Sequence, residues 1–198
     1  MLVEEPSMEA FLRQMLSRLL GESATFNVYP YQGKDDLLSK LQSRLQGYSS
    51  WLPENWRVVV VVDRDDADCE VLKNKMEQAA SNAGLRSRNV GAAETWQVVN
   101  RIAIEELEAW YFGDWDAVRK VYPKVPATIP QKEPYRNPDN IQGGTWEAFE
   151  RVLQRVGYFK TGLRKMEVAR DLGKYMDPAH NCSRSFAVFR DAVLEAVA

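Results

Sequence analysis

A run of five valines, Val58 to Val62, constrains the fold of this chain more than any other stretch of its sequence. β-Branched side chains disfavour a helix, and a run without polar residues does not suit a strand with one solvent-exposed face. Such runs are typical of a central strand in a parallel sheet that is covered on both faces. The run therefore predicts an α/β fold built around a buried strand.

Four aspartates crowd the six residues at the end of this run, namely Asp63, Asp65, Asp66 and Asp68. Open α/β sheets bind their ligands outside the carboxyl ends of the strands, where these carboxylates are expected to lie. Like charges this close raise one another's pKa unless a cation sits among them, and oxygen ligands of this kind suit Mg²⁺ or Mn²⁺. For Asp66 and Asp68 an alternative stays open, because Asp is also favoured in solvated turns and at helix N-caps.

Strands and helices alternate along the first 112 residues. The predicted strands cover 1–4, 25–31, 58–62, 85–90 and 96–104. Apolar residues at helical spacing predict helices between them that end at Gly21, Gly47 and Gly84, and a further helix from Glu105. This alternation predicts a Rossmann-like, mostly parallel sheet with right-handed crossovers, flanked by helices.

The composition changes after residue 112. Five prolines between Tyr122 and Gly144 predict a long irregular loop, and loops of this length are usually functional or mobile. Three helices are expected beyond the loop, over 145–157, 163–175 and 185–197. The chain is thus predicted to consist of an α/β core over 1–112 and a proline-rich loop with a helical extension over 113–198, packed on the core.

Charge and cysteine content narrow the classes of function. The 26 basic and 28 acidic residues give a net charge of -2, so a polyanion must be held by a local basic surface or by metal. Two cysteines are too few for a disulfide framework and fit a reducing cytoplasm. No apolar run reaches the roughly 18 residues of a membrane span, and no signal peptide is evident. We expect a cytoplasmic protein that does not bind membranes.

Acidic residues follow three of the predicted strands, and the carboxyl ends of parallel strands share one edge of a sheet. We therefore expect three groups to meet there: Glu4 and Glu5, the four aspartates, and the group Glu105, Glu106 and Glu108. A glutamate and two aspartates around one Mg²⁺, or around two ions about 4 Å apart, suit phosphodiester cleavage. Basic residues would complete the site by contacting phosphate oxygens, with a solvated helix face as the alternative for each of Lys160, Arg164, Lys165, Arg170 and Arg184.

Five stretches, taken in order, resemble the family called domain of unknown function 4276, bacterial proteins with a Toprim-like (topoisomerase-primase) fold. They are LVEEPSMEAFLRQML, VVVVVDRDDADC, IAIEELEAWYFGD, KMEVARDL and NCSRSF. The resemblance implies Mg²⁺ held by a glutamate after the first strand and by a D-x-D motif after a later one. Related nucleases work beside an ABC-type ATPase in phage defence, so an ATPase partner and nucleic acid are expected here.

The resemblance assigns roles to individual residues. The expected catalytic residues are Glu4, Asp63, Asp65 and Lys165. The expected metal ligands are Glu4, Asp63 and Asp65, with Glu106 or Glu108 at the later strand-helix junction. The residues expected to bind nucleic acid are Arg64, Arg164 and Arg184. Two positions depart from the family pattern, because Glu5 replaces the usual Gly and Met8 stands at an often acidic position.

Other functions fit the sequence less well. Glu5 and Met8 favour a second hypothesis, a catalytically weak Toprim-like module that docks on an ATPase partner. His180 is the only histidine, and no nucleophile motif surrounds it, which disfavours a Ser/His/Asp enzyme. A receiver or phosphatase domain would need a nucleophilic aspartate and a later lysine that do not both appear. The choice between DNA and RNA, the number of metal ions and a homo-oligomeric state stay open.

Overall fold

A computed structural model describes residues 1–89 and 95–198. Within these residues the centre is a parallel sheet of four strands in the order β2-β1-β3-β4. The strands are β1 (Leu2–Val3), β2 (Tyr29–Pro30), β3 (Val58–Asp63) and β4 (Val98–Ala103). All six residues of β3 are buried. The predicted α/β fold with a parallel sheet is confirmed.

Eight α-helices flank this sheet in the same residues. They are α1 (Pro6–Leu20), α2 (Lys34–Ser49), α3 (Cys69–Asn82), α4 (Leu107–Gly113), α5 (Trp115–Val121), α6 (Thr145–Arg155), α7 (Lys165–Tyr175) and α8 (Arg184–Glu195). Short 3₁₀ turns at Ile129–Gln131, Glu133–Tyr135 and Pro138–Asn140 interrupt the proline-rich segment. None of these helices combines the length and the hydrophobicity of a membrane span.

Alternate residues of β3 supply two hydrophobic cores, because successive strand side chains point to opposite faces. Val58, Val60 and Val62 join the core that α2 and α3 cover. Val59 and Val61 join the larger core, which contains the buried side chains of α1, α4 and the C-terminal helices. Burying a side chain of this size contributes roughly 1.5–3 kcal/mol, which explains why an uninterrupted valine run occupies the centre.

Helix α7 packs closely against α1 in the larger core. A Cβ atom at Gly173 would lie 2.6 Å from the backbone oxygen of Phe11, so only glycine allows this approach. Arg18 of α1 also donates a hydrogen bond to the Gly173 oxygen at 3.0 Å. The larger core thus includes residues from both sides of position 112, and the predicted domain boundary there stays a prediction.

Several predicted boundaries differ from those in the structure. The strand expected over 25–31 is reduced to two residues, because its neighbour β1 ends where α1 begins at Pro6. Helix α2 continues past Gly47 to Ser49. In the strand expected over 85–90, Ser87 forms an isolated parallel bridge with Val98, and residue 90 lies outside the described residues.

Candidate active site at the carboxyl edge of the sheet

The strand order creates a topological switch point between β1 and β3. The chain passes from β1 to β2 on one side and then returns to place β3 on the other side of β1. In open α/β sheets, ligands bind outside the carboxyl ends of the strands at such a point. Glu4 directly follows β1, and Asp63 ends β3. The Glu4 carboxylate accepts a hydrogen bond of 3.0 Å from the Asp63 backbone N–H, so the structure brings these two residues together.

Asp63 is a buried carboxylate, with 6% of the residue exposed. Burial raises its pKa well above the usual value, and the nearby charges of Glu4 and Glu108 raise it further. Its Oδ1 atom is buried and has no hydrogen-bond partner among the described residues. Buried polar atoms are nearly always hydrogen-bonded, so an unpartnered carboxylate oxygen indicates a place for a ligand.

Two glutamates surround Asp63 with further negative charge. Burial raises the pKa of Glu4 to about 7, although the Asp63 backbone N–H opposes this shift. Glu108 lies in the first turn of α4 and is 3% exposed. Burial raises its pKa to about 8, and the neighbouring Lys165 ammonium only partly offsets that effect. Without a cation, burial therefore favours the protonated form of all three carboxyl groups, and Glu4 and Glu108 exchange protons close to neutral pH.

The donor set suits a hard divalent cation in chemical type. Carboxylate oxygens are the ligands that Mg²⁺ and Mn²⁺ prefer, and the Asp63 Oδ1 atom is free to bind one. As the side chains stand, no three Asp, Glu, His or Cys residues within 1–89 and 95–198 are arranged to hold one metal ion. Binding of a cation would therefore require side-chain rotation of the neighbouring glutamates toward Asp63.

The backbone next to Asp63 is strained. Asp65 and Glu105 follow neighbouring strands and have positive φ angles of 46° and 63°. The Asp65 N–H donates to the Glu105 oxygen at 2.9 Å, which ties the two unusual conformations together. Such conformations cost of order 1–3 kcal/mol each and cluster at active sites. The Asp65 carboxylate accepts a 2.6 Å hydrogen bond from the Lys34 ammonium at the start of α2.

Two further predicted site residues, Glu106 and Arg64, also form internal bonds. The Glu106 carboxylate accepts hydrogen bonds from the Thr145 hydroxyl and the Trp146 backbone N–H, both at 2.9 Å. These bonds fix the start of α6 beside α4. Arg64 forms an ion pair with Glu105. The side chains of Glu106 and Arg64 are thus engaged with the protein itself.

Lys165 is the first residue of α7 and lies beside the acidic cluster. Its ammonium lies 4.9 Å from the centre of the Trp146 ring, a cation-π contact. Burial alone would lower the pKa of Lys165, but the negative charges of Glu108, Glu5 and their neighbours raise it overall. Helix α7, far along the chain, therefore supplies a half-buried cation to a site whose acids come from the first 108 residues.

The other predicted basic residues do not share one place. Arg164 is exposed, with 71% of its side chain in solvent, and pairs with Glu167 on its own helix. Lys160 and Arg170 are also exposed. Arg184 begins α8 and borders a groove beside β4. Arg164 thus lies on a solvated face, whereas Arg184 lines the groove beside β4.

Sequence reasoning missed two residues of this site. Lys34 starts the helix after β2, so its place at the carboxyl edge follows from the same rule that located the acids. Tyr111 is buried one turn after Glu108, and after burial the charges of Glu108 and Glu5 contribute most to its raised pKa. Its position three residues from Glu108 on a helix was the signal available in the sequence.

A cavity of about 550 Å³ lies away from the acidic cluster, at the amino ends of the strands. Met1, Val58 and Trp56 are among its lining residues, and none of the carboxylates described above contributes to it. Because ligands of parallel α/β sheets bind at the carboxyl edge, the acidic cluster is the candidate functional site.

The fold and the site together define an α/β protein with a buried acidic cluster at the carboxyl edge of a parallel sheet. The family model described as Domain of unknown function (DUF4276) matches residues 3–194, and the chain belongs to this family. No curated protein and no solved structure matches the chain. The family expected from the five sequence stretches is thereby confirmed.

Proposed function

We propose that this protein is a nuclease that hydrolyses phosphodiester bonds of nucleic acid with the help of Mg²⁺ or Mn²⁺. The observation that carries the proposal is the meeting of Glu4, Asp63 and Glu108 at the switch point, with one Asp63 oxygen buried and unpartnered. A buried cluster of like charges destabilises the fold, and such clusters persist where a site needs them.

Each part of the cluster has a role in this proposal. Glu4, Asp63, Asp65 and Glu108 would hold the cation. When bound, the cation would supply an activated water and neutralise charge on the phosphate. Lys165 would donate a hydrogen bond to a phosphate oxygen, because its ammonium faces the acids and keeps its proton. Lys34 would keep Asp65 oriented through their hydrogen bond of 2.6 Å.

We extend the proposal to the fold family and the partner. The resemblance of the sequence motifs, together with the parallel sheet and an acid after β1 and after β3, supports a Toprim-like core. By the same resemblance, the protein would act beside an ABC-type ATPase in phage defence, and the two cysteines favour a location in the cytoplasm. The substrate would be DNA or RNA, and a homo-oligomer is compatible with this role.

A second candidate is a catalytically weak module that docks on the ATPase. The observation that favours it is the internal bonding of Glu106 to the start of α6 and of Asp65 to Lys34. Met8 is also buried in the core, at a position that is often acidic in Toprim proteins. Under this hypothesis the acidic cluster would still bind a cation, but no cleavage would follow.

Cleavage assays separate the two candidates. Purified protein would be incubated with plasmid DNA and with total RNA, in Mg²⁺, in Mn²⁺ and in chelator. We expect metal-dependent products that disappear in Asp63→Asn, which keeps the side-chain shape and removes the charge. Asp66→Asn is the matched control, because Asp66 is exposed in the same loop. Products that form equally with Asp63→Asn, or equally in chelator, would end the nuclease proposal.

A further inference from the structure

A groove of about 430 Å³ lies beside β4, the edge strand of the described sheet, between α3 and α8. We call it the β4 groove. Its basic lining residues are Lys73 of α3, Arg101 of β4 and Arg184 of α8, and its apolar ones include Ile102, Ile104 and Val188. Ile104 directly precedes Glu105, so the groove reaches the carboxyl edge of the sheet where the acidic cluster lies.

Arg101 is a buried cation without an acidic partner. The residue is 7% exposed, and its guanidinium donates to the backbone oxygens of Asn100 at 3.0 Å and Val188 at 3.2 Å. No Asp or Glu in residues 1–89 or 95–198 forms an ion pair with it. Burial, followed by the charge of Arg88, lowers the pKa of Arg101 below its usual value. Buried charges are normally paired, so this guanidinium is suited to an anionic ligand.

The acids around the groove already have partners within the protein. The Glu77 carboxylate forms an ion pair with the Lys73 ammonium at 2.8 Å. The Glu195 carboxylate accepts a hydrogen bond of 2.8 Å from the Arg88 guanidinium. Asp139, which lines the groove, is held by hydrogen bonds from two backbone N–H groups and two hydroxyls at the start of α8, which stabilise its charge there. Among the described residues, Arg101 and Arg184 therefore remain as positive charges without a carboxylate partner at this groove.

We propose that the β4 groove binds the sugar-phosphate backbone of a single nucleic-acid strand, with Arg101 and Arg184 contacting phosphate oxygens. This proposal rests on the proposed function for its ligand. Guanidinium groups suit phosphates because their N–H groups form paired hydrogen bonds. Ile102, Ile104 and Val188 give the sugars an apolar wall. A single strand fits better than a duplex, because only a narrow chain reaches a guanidinium as covered as that of Arg101.

Fluorescence anisotropy in chelator tests the groove without cleavage. The probes are a labelled 20-nucleotide single strand and the corresponding duplex, and the variants are Arg184→Glu, Arg101→Met and Arg101→Lys. We expect Arg184→Glu and Arg101→Met to raise the single-strand Kd roughly threefold to tenfold. The slope of the logarithm of the affinity against the logarithm of the salt concentration should become shallower by about 0.7 for each lost phosphate contact. Arg101→Lys, which keeps the charge, should lie closer to the wild type. Lys120→Glu is the charge-matched control and should bind normally, because Lys120 is exposed on α5 and does not line the groove.

Several outcomes would overturn the groove proposal. They are no binding of the single strand by the wild type, an unchanged Kd for Arg184→Glu, an equal loss for Lys120→Glu, or tighter binding of the duplex. If Arg101→Met does not fold, Arg184→Glu decides alone, because its side chain is exposed. Failure here is distinct from failure of the nuclease proposal. If cleavage depends on Asp63 but the Arg184→Glu variant binds the single strand normally, only the groove proposal is rejected. If Arg184→Glu weakens binding but no Asp63-dependent cleavage is found, only the nuclease proposal is rejected.

Discussion

Replacing Glu108 with Gln should stabilise the metal-free protein at alkaline pH. Glu108 has an ordinary pKa of 4.5 when exposed in the unfolded chain and a pKa of about 8 in the folded protein, where burial is the largest cause. The folded state therefore binds more protons between these two values. The contribution of the Glu108 carboxyl to the unfolding free energy is fully present below pH 4.5 and is lost as the pH rises toward about 8. The amide of the Glu108→Gln variant has no proton to lose, so the variant avoids this loss.

The size of the effect follows from the two pKa values of Glu108. Between pH 5.5 and 8.5, the Glu108 carboxyl should cost the wild type about 3 kcal/mol of unfolding free energy that the variant does not lose. For a chain of 198 residues, this corresponds to a relative gain in Tm of about 6 to 12 °C. The Gln amide can also change the unfolding free energy by an amount that does not depend on pH. This amount cancels, because the variant is compared with the wild type at both pH values.

Urea and thermal unfolding in chelator, at pH 5.5 and pH 8.5, measure this difference. Glu22→Gln is the matched control, because Glu22 is exposed and its substitution should leave the pH dependence unchanged. A difference between Glu108→Gln and wild type that is the same at both pH values would refute the assignment of a buried, charge-repelled carboxyl to Glu108.

Two further predictions concern the cation and the packing of α7. Mn²⁺ should bind at least roughly tenfold more tightly at pH 8.5 than at pH 6, because Glu4 and Glu108 must release protons to bind it. Calorimetry checks this, and equal affinity at both pH values or undiminished binding by Asp63→Asn would contradict it. Gly173→Ala should cost about 1–3 kcal/mol of unfolding free energy, because the new methyl group meets the Phe11 backbone. Gly47→Ala is its control and should stabilise the protein by roughly 0.5–1 kcal/mol, since no atom would contact a methyl group at that helical position. Urea unfolding that gave both variants the same change in unfolding free energy would contradict the packing argument.

Local sequence patterns were enough to predict the fold class and the main elements, and they suggested which acidic residues to examine as a site. The valine run predicted a strand that is buried on both faces, since no other regular structure suits five adjacent β-branched residues. Helical periodicity and Pro6 located α1 directly after Glu4. The rule that ligands bind at the carboxyl ends of parallel strands then pointed to the acidic residues near those ends, among them Glu4, Asp63 and either Glu106 or Glu108.

Which of these residues meet depends on the three-dimensional arrangement of the elements. Glu4 and Asp63 are 59 positions apart, and their contact depends on β1 lying between β2 and β3. The start of α6 engages Glu106, and the packing of α7 on α1 brings Lys165 to the acids. Strand order and helix docking are set by the burial of whole faces over long sequence separations. Local patterns of hydrophobicity and charge do not encode them.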